Sequence, residues 1–168
     1  MKSKTKKLVT LSALIAVAMI LSYVESLIPP LVAVPGAKIG LSNIATVFAL
    51  YTLGWQAAVS VSVVRVFLSA LLFGNAVSLI YSAAGAALAL LIMIIFYKIQ
   101  FFSTIGVSVL GGVFHNAGQV VAASIVMESG AITVYLAPLA VVGTLAGVLV
   151  GICAGVLVLR VGKYLGQP

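Results

Sequence analysis

Aspartate is absent from this chain, and glutamate occurs only at Glu25 and Glu128. That excludes an aspartate-rich cluster of the kind that holds a diphosphate through Mg²⁺. It also leaves no carboxylates close in sequence for paired acid–base work. One cysteine, Cys153, rules out an intrachain disulfide, and its apolar setting suits a small packing residue. The lone histidine, His115, has no cysteine or carboxylate beside it, which makes a poor metal site. No Walker motif, nucleophile elbow or Cys/His spacing occurs, so neither an enzymatic activity nor a metal or cofactor is expected. Charge of any kind is scarce, at 7% of 168 residues, where a soluble domain carries about 25%.

What the chain has instead is apolar mass: 64% hydrophobic residues and a mean hydropathy of +1.35. This composition describes an all-α integral membrane protein, read as one domain over residues 1–168. At about 20 residues per span, the length accommodates about six transmembrane helices. The hydrophobic pattern puts them at Leu8–Ile28, Ile39–Leu53, Trp55–Phe73, Ala76–Tyr97, Thr104–Met127 and Ile132–Leu159. The second is short, about 22 Å at 1.5 Å per residue, and is expected to begin as a re-entrant stretch through Pro35-Gly-Ala-Lys-Ile-Gly40. The basic start, Met1 to Lys7, followed by an apolar run resembles a signal peptide. The run is too long for one, so a retained first helix is expected.

The net charge is +7. Because the cations sit at segment ends, they read as topology signals and not as a nucleic-acid footprint. With the N-terminus in the cytoplasm, Lys2, Lys4, Lys6, Lys7, Lys98, Arg160 and Lys163 all fall inside. Only Lys38 then lies outside, and Arg65 within the membrane. Both termini are therefore expected to be cytoplasmic.

Arg65 lies in the middle of the third span, in Val63-Val-Arg-Val-Phe67. A guanidinium stays charged at working pH, and at bilayer depth it costs about 2.5–3.5 kcal/mol on insertion scales. Such a residue either makes structural ties to carbonyls or a distant carboxylate, or it binds an anionic group. In the fifth span His115, Asn116 and Gln119 share one helical face, suited to interhelical hydrogen bonds or to a solute. Lys38, Ser42 and Asn43 precede a helix start whose free N–H groups favour an anion, and Ser42 or Asn43 could cap it. Tyr23 and Tyr81 could supply aromatic walls, and Asn75 suits a turn. Gly143, Gly147, Gly151 and Gly155 recur every fourth residue of the last span, a smooth ridge for close helix packing. Ser12 and Ala16 form a shorter small-xxx-small pair in the first span.

Several stretches carry a family resemblance. They are Pro35-Gly-Ala-Lys-Ile-Gly-Leu-Ser-Asn-Ile-Ala-Thr46, Arg65-Val-Phe-Leu-Ser-Ala-Leu-Leu-Phe-Gly74, Leu79-Ile-Tyr-Ser-Ala-Ala-Gly85 and Gly106-Val-Ser-Val-Leu-Gly-Gly-Val-Phe-His-Asn-Ala-Gly-Gln119. They are similar to the hallmarks of the bacterial Gx transporters, a family also labelled heptaprenyl diphosphate synthase component I. That family in turn resembles the S components of energy-coupling factor (ECF) transporters. The resemblance implies a six-helix S-component-like bundle in the bacterial cell membrane that captures a small molecule, such as a quinone or isoprenoid precursor or a vitamin-like compound. Its partners would be an ECF coupling subunit and ATPases. Docking in S components uses an Ala-xxx-Ala pair on the first helix; here the matching positions are Ser12 and Ala16, so the first departs from the pattern. Arg65, His115, Asn116, Gln119, Lys38, Ser42, Asn43 and Tyr81 are the expected substrate contacts. Two rival readings stand beside this one. The first is a non-catalytic membrane accessory protein in prenyl-diphosphate or menaquinone synthesis. The second is a self-contained proton-coupled transporter using His115 and Glu25.

The orientation is testable by thiol accessibility. In a Cys153→Ala background, Lys98→Cys is expected to react with an impermeant reagent only from the cytoplasmic side, and Lys38→Cys only from outside. Labelling of position 98 in intact cells overturns this topology.

Overall fold

The structure is a computed structural model that describes residues 2–28 and 40–165. Six α-helices follow one another: α1 (Lys2–Ser26), α2 (Asn43–Leu53), α3 (Trp55–Phe73), α4 (Ala76–Ile99), α5 (Thr104–Val126) and α6 (Leu136–Val161). Short 3₁₀ turns at Gly130–Tyr135 and Gly162–Leu165 flank α6, and no strand occurs among the described residues. Five helical stretches are long and apolar enough to cross a membrane, as the composition requires. The second helix is shorter than expected. It starts at Asn43, not Ile39, and its 11 residues rise only about 16 Å.

Local sequence explains the boundaries. A single residue, Gly54, joins α2 to α3 at φ +89°, a backbone that residues with a Cβ rarely adopt. Asn75 opens α4 with a capping box: its side chain accepts from the Ser78 N–H at 2.8 Å, while its own N–H donates to Ser78 Oγ at 2.9 Å. Ser103 caps α5 by accepting from the Gly106 N–H at 3.3 Å.

Lipid tails are as apolar as leucine, so helices here are held by close packing and not by a hydrophobic drive. The centre of the bundle accordingly uses small residues. A Cβ on Gly143 would stand 2.7 Å from the Gly112 carbonyl oxygen, one on Gly147 2.5 Å from Val109 Cα, and one on Gly151 2.6 Å from Ile105 Cα. Three of the four ridge glycines therefore seat α6 directly on the backbone of α5. Gly155, with nothing within 4 Å, does not. The other side of α5 approaches α4 as closely, because a Cβ on Gly118 would meet the Ala84 carbonyl at 2.8 Å. Leu50, Val61, Met93, Val107 and Val150 fill the core beyond this slab, while Leu71, Leu145, Leu149 and Leu159 face outward.

One end of the bundle gathers the cations. Lys6 Nζ donates to the Tyr164 carbonyl at 2.8 Å, and Gly162 lies against Thr52 near the end of α2. Tyr51 and Tyr97 stack edge to face with centroids 5.0 Å apart, and Lys98 lies 5.8 Å over Trp55. The start of α2 is thereby directed to the opposite half of the bundle.

The ridge makes a paired prediction. Gly147→Leu forces side-chain atoms into the α5 backbone and is expected to lower stability by about 1–3 kcal/mol or to prevent folding. Gly155→Leu is expected to be close to neutral. Unfolding in detergent distinguishes them, and equal effects would refute the packing account.

Candidate binding site

Arg65 belongs to the inward face of α3, between Ser62 and Ser69, and is 6% exposed. Its Nη1 donates to Ser42 Oγ at 2.8 Å. Ser42 occupies the N-cap position of α2 but has helical dihedrals and makes no capping hydrogen bond, its hydroxyl being engaged by Arg65. The expected cap is therefore a link between helices. Asn43 is the first residue of α2 and likewise makes no cap.

Glu25, near the end of α1, is 5% exposed and completes this node. Its carboxylate accepts a hydrogen bond from the Gly40 N–H, where the backbone turns through φ +86°, and its charge acts on Arg65. The node thus joins the end of α1, the start of α2 and the middle of α3. Among the described residues, Arg65 Nε and Nη2 have no hydrogen-bond partner. Neither do the buried hydroxyls of Ser22, three residues before Glu25, and Thr46, four residues after Ser42.

The polar residues of α5 form a second group. His115, Asn116 and Gln119 are all buried. Asn116 Nδ2 donates to the Leu139 carbonyl at 2.8 Å, tying α5 to α6. His115 and Gln119 lie against α4, where a Cβ on Gly85 would come within 3.2 Å of His115 Cε1 and 2.8 Å of Gln119 Cγ. Tyr81, one turn before Gly85, is buried against Ala122 and Ala123. The start of α2 lies between the two groups. Ser42 faces Arg65, whereas Asn43 lines a cavity of about 10 Å³ with Ser108, Gly111, Gly112 and Gly147. That space is about one water molecule in size.

The structure therefore joins Arg65 with Ser42, and groups His115 and Gln119 near Tyr81 along the α4–α5 contact. Asn116 is engaged with a backbone carbonyl. Lys38 lies outside the described residues. Tyr23 is half exposed against Phe73, ring centroids 5.1 Å apart, and so walls no interior. Ser12 and Ala16 are exposed on α1. Sequence reasoning missed Glu25, Gly85 and Ser108 as parts of these clusters. Glu25 carried a usable signal, since an intramembrane arginine calls for a carboxylate and the chain has only two. No group of three or more His, Cys, Asp or Glu occurs among the described residues. A separate apolar groove of about 340 Å³ runs between α3 and α4, floored by Ala83, Ala86 and Ala87 and walled by Phe67 and Leu79.

Apolar helices of membrane-crossing length around buried polar clusters define a multi-pass helical membrane protein of transporter-like or accessory type. The chain belongs to the heptaprenyl diphosphate synthase component I family, whose model matches residues 14–157. Among curated proteins and solved structures, none matches it significantly.

The Asn116 contact can be tested alone. Asn116→Ala removes the bond to Leu139 and is expected to destabilise the bundle by about 0.6–1.7 kcal/mol, the range for interhelical hydrogen bonds in membranes. Unchanged unfolding in detergent would show that the bond contributes nothing.

Proposed function

We propose that this protein is the substrate-binding membrane subunit of a bacterial small-molecule uptake system, similar to an ECF S component. The observation that carries the reading is Arg65: a buried cation with one nitrogen used by Ser42 and two donors unmatched among the described residues. A guanidinium kept at depth in this form suits the capture of a polar or anionic group. His115 and Gln119 contribute polar groups on the α4–α5 side, and Asn43 lies between the two clusters. Lys38 is proposed to add a positive charge at the rim. The substrate class is a quinone or isoprenoid precursor or a vitamin-like compound. The protein resides in the bacterial plasma membrane with both termini cytoplasmic, in line with the positive-inside rule.

The exposed Ser12 and Ala16 on α1 support docking of a coupling subunit that is driven by ATPases. Small residues left outside the bundle permit another helix to approach closely. A second reading is favoured by the groove between α3 and α4. Its 340 Å³ of almost wholly apolar lining suits a prenyl chain. In that case the protein would be a non-catalytic accessory to prenyl-diphosphate or menaquinone synthesis.

Co-purification separates the two. The wild-type protein is expected to bring down a coupling subunit and ATPases, and Ala16→Trp to lose them without loss of stability. Recovery of a soluble prenyl synthase subunit instead would replace the first reading with the second. If Ala16→Trp retains the complex, that face of α1 is not the docking surface.

A further inference from the structure

The node at Arg65 carries more information than the presence of a positive charge. Its three nitrogens are not equivalent. Nη1 donates to Ser42 Oγ, and the two without partners among the described residues are Nε and Nη2. These two lie along one edge of the planar group and direct parallel N–H bonds the same way. That edge matches two oxygens attached to one atom.

The charge balance around it is narrow. The Glu25 carboxylate acts on Arg65 from α1, so a ligand at this edge meets one positive and one negative group. Ser42 and Thr46 on α2 and Ser62 and Ser69 on α3 add no charge. Lys6, Lys98 and Lys163 belong to the opposite end of the bundle. The described residues supply no acidic or Cys/His cluster to hold a bridging divalent cation. Among the described residues, Arg65 and Glu25 offset one another here, so a phosphate monoester at about −1.5 to −2, or a diphosphate, would leave more uncompensated charge than a carboxylate would. The anion that these described groups disfavour least is a singly charged one.

The remaining donors are neutral. The hydroxyls of Ser22 and Thr46 are 5% and 1% exposed and have no hydrogen-bond partner among the described residues. They lie within about one turn of Glu25 and Ser42, on the helices either side of Arg65. The positive end of the α2 dipole starts at Ser42.

We infer that the substrate group taken by Arg65 is one carboxylate, held edge-on by Nε and Nη2, and not a phosphate or diphosphate. This rests on the substrate-binding reading above and narrows it. The substrate class becomes a monocarboxylate, such as an aromatic or isoprenoid acid.

The test uses the full chain in detergent, with thermal unfolding followed at constant ionic strength. Sodium benzoate, inorganic phosphate and pyrophosphate are the probes, with chloride as the control. Benzoate is expected to raise the melting midpoint of the wild type by a few degrees. Its apparent affinity should fall roughly ten- to hundredfold in Arg65→Gln, and less in Arg65→Lys, which keeps the charge but loses the planar edge. Phosphate and pyrophosphate are expected to match chloride. An Arg65-dependent shift with pyrophosphate overturns the carboxylate assignment and leaves the uptake reading standing. No Arg65-dependent shift with any anion overturns the subsite itself, and the docking experiment then judges the uptake reading separately. Should Arg65→Gln fail to fold, Arg65→Lys and Thr46→Val provide the comparison. Undiminished benzoate stabilisation in both would also overturn the subsite.

Discussion

A permanently charged guanidinium held out of water is the constraint around which this bundle is arranged. Arg65 cannot shed its charge, and the apolar surroundings cannot solvate it. The chain answers by bringing three helices to it. Glu25 contributes charge from α1 and Ser42 a hydroxyl from α2, while α3 carries Arg65 itself. A short α2 suits this arrangement. Its first turn lies inside the protein, so that Ser42 meets Arg65 and Asn43 meets the small cavity beside α5. Had α2 begun four residues earlier, as its hydropathy suggests, Ser42 would be an ordinary residue inside the helix.

The opposite half of the bundle solves a different problem by different means. Nothing charged needs compensating between α4, α5 and α6, so backbones meet directly wherever glycine or alanine permits. Polar side chains are few within the slab, and the buried Ser108 hydroxyl on α5 has no hydrogen-bond partner among the described residues. Asn116 bonds a carbonyl of α6, and His115 and Gln119 lie over the gap left by Gly85. The two halves differ in emphasis: the first adds a polar node to an apolar side-chain core, and the second brings backbones into direct contact.

Much of this was legible in the sequence, for identifiable reasons. Both ends of α3 stand where the pattern puts them, because Gly54 and Gly74 interrupt a continuous apolar run. The depth of Arg65 followed from its position in that run. The glycine ridge could be read from spacing alone, but not its partner, since spacing on one helix says nothing about which neighbour meets it. Glu25 was hidden for a similar reason: it is far from Arg65 in sequence, and only the packing of α1 against α3 brings the two helices together. The start of α2 was misplaced because Ile39 to Leu41 are as apolar as helix, while the positive φ at Gly40 is a backbone property that hydropathy does not encode. Asn116 was legible as a buried polar group, but its carbonyl partner on α6 was not.

The glycine contacts also bear on how the molecule can deform. Where a carbonyl oxygen of one helix touches the backbone of the next, there is no layer of rotatable side chains to absorb a shift. The helices α4, α5 and α6 therefore respond as one stiff plate. The first three helices meet through side chains, the apolar Ala45, Leu50, Ala58 and Val61 together with the hydroxyls, guanidinium and carboxylate of the node, and side chains can turn to absorb a shift. Any displacement the bundle undergoes will concentrate in that softer half, and the charged node lies at its centre.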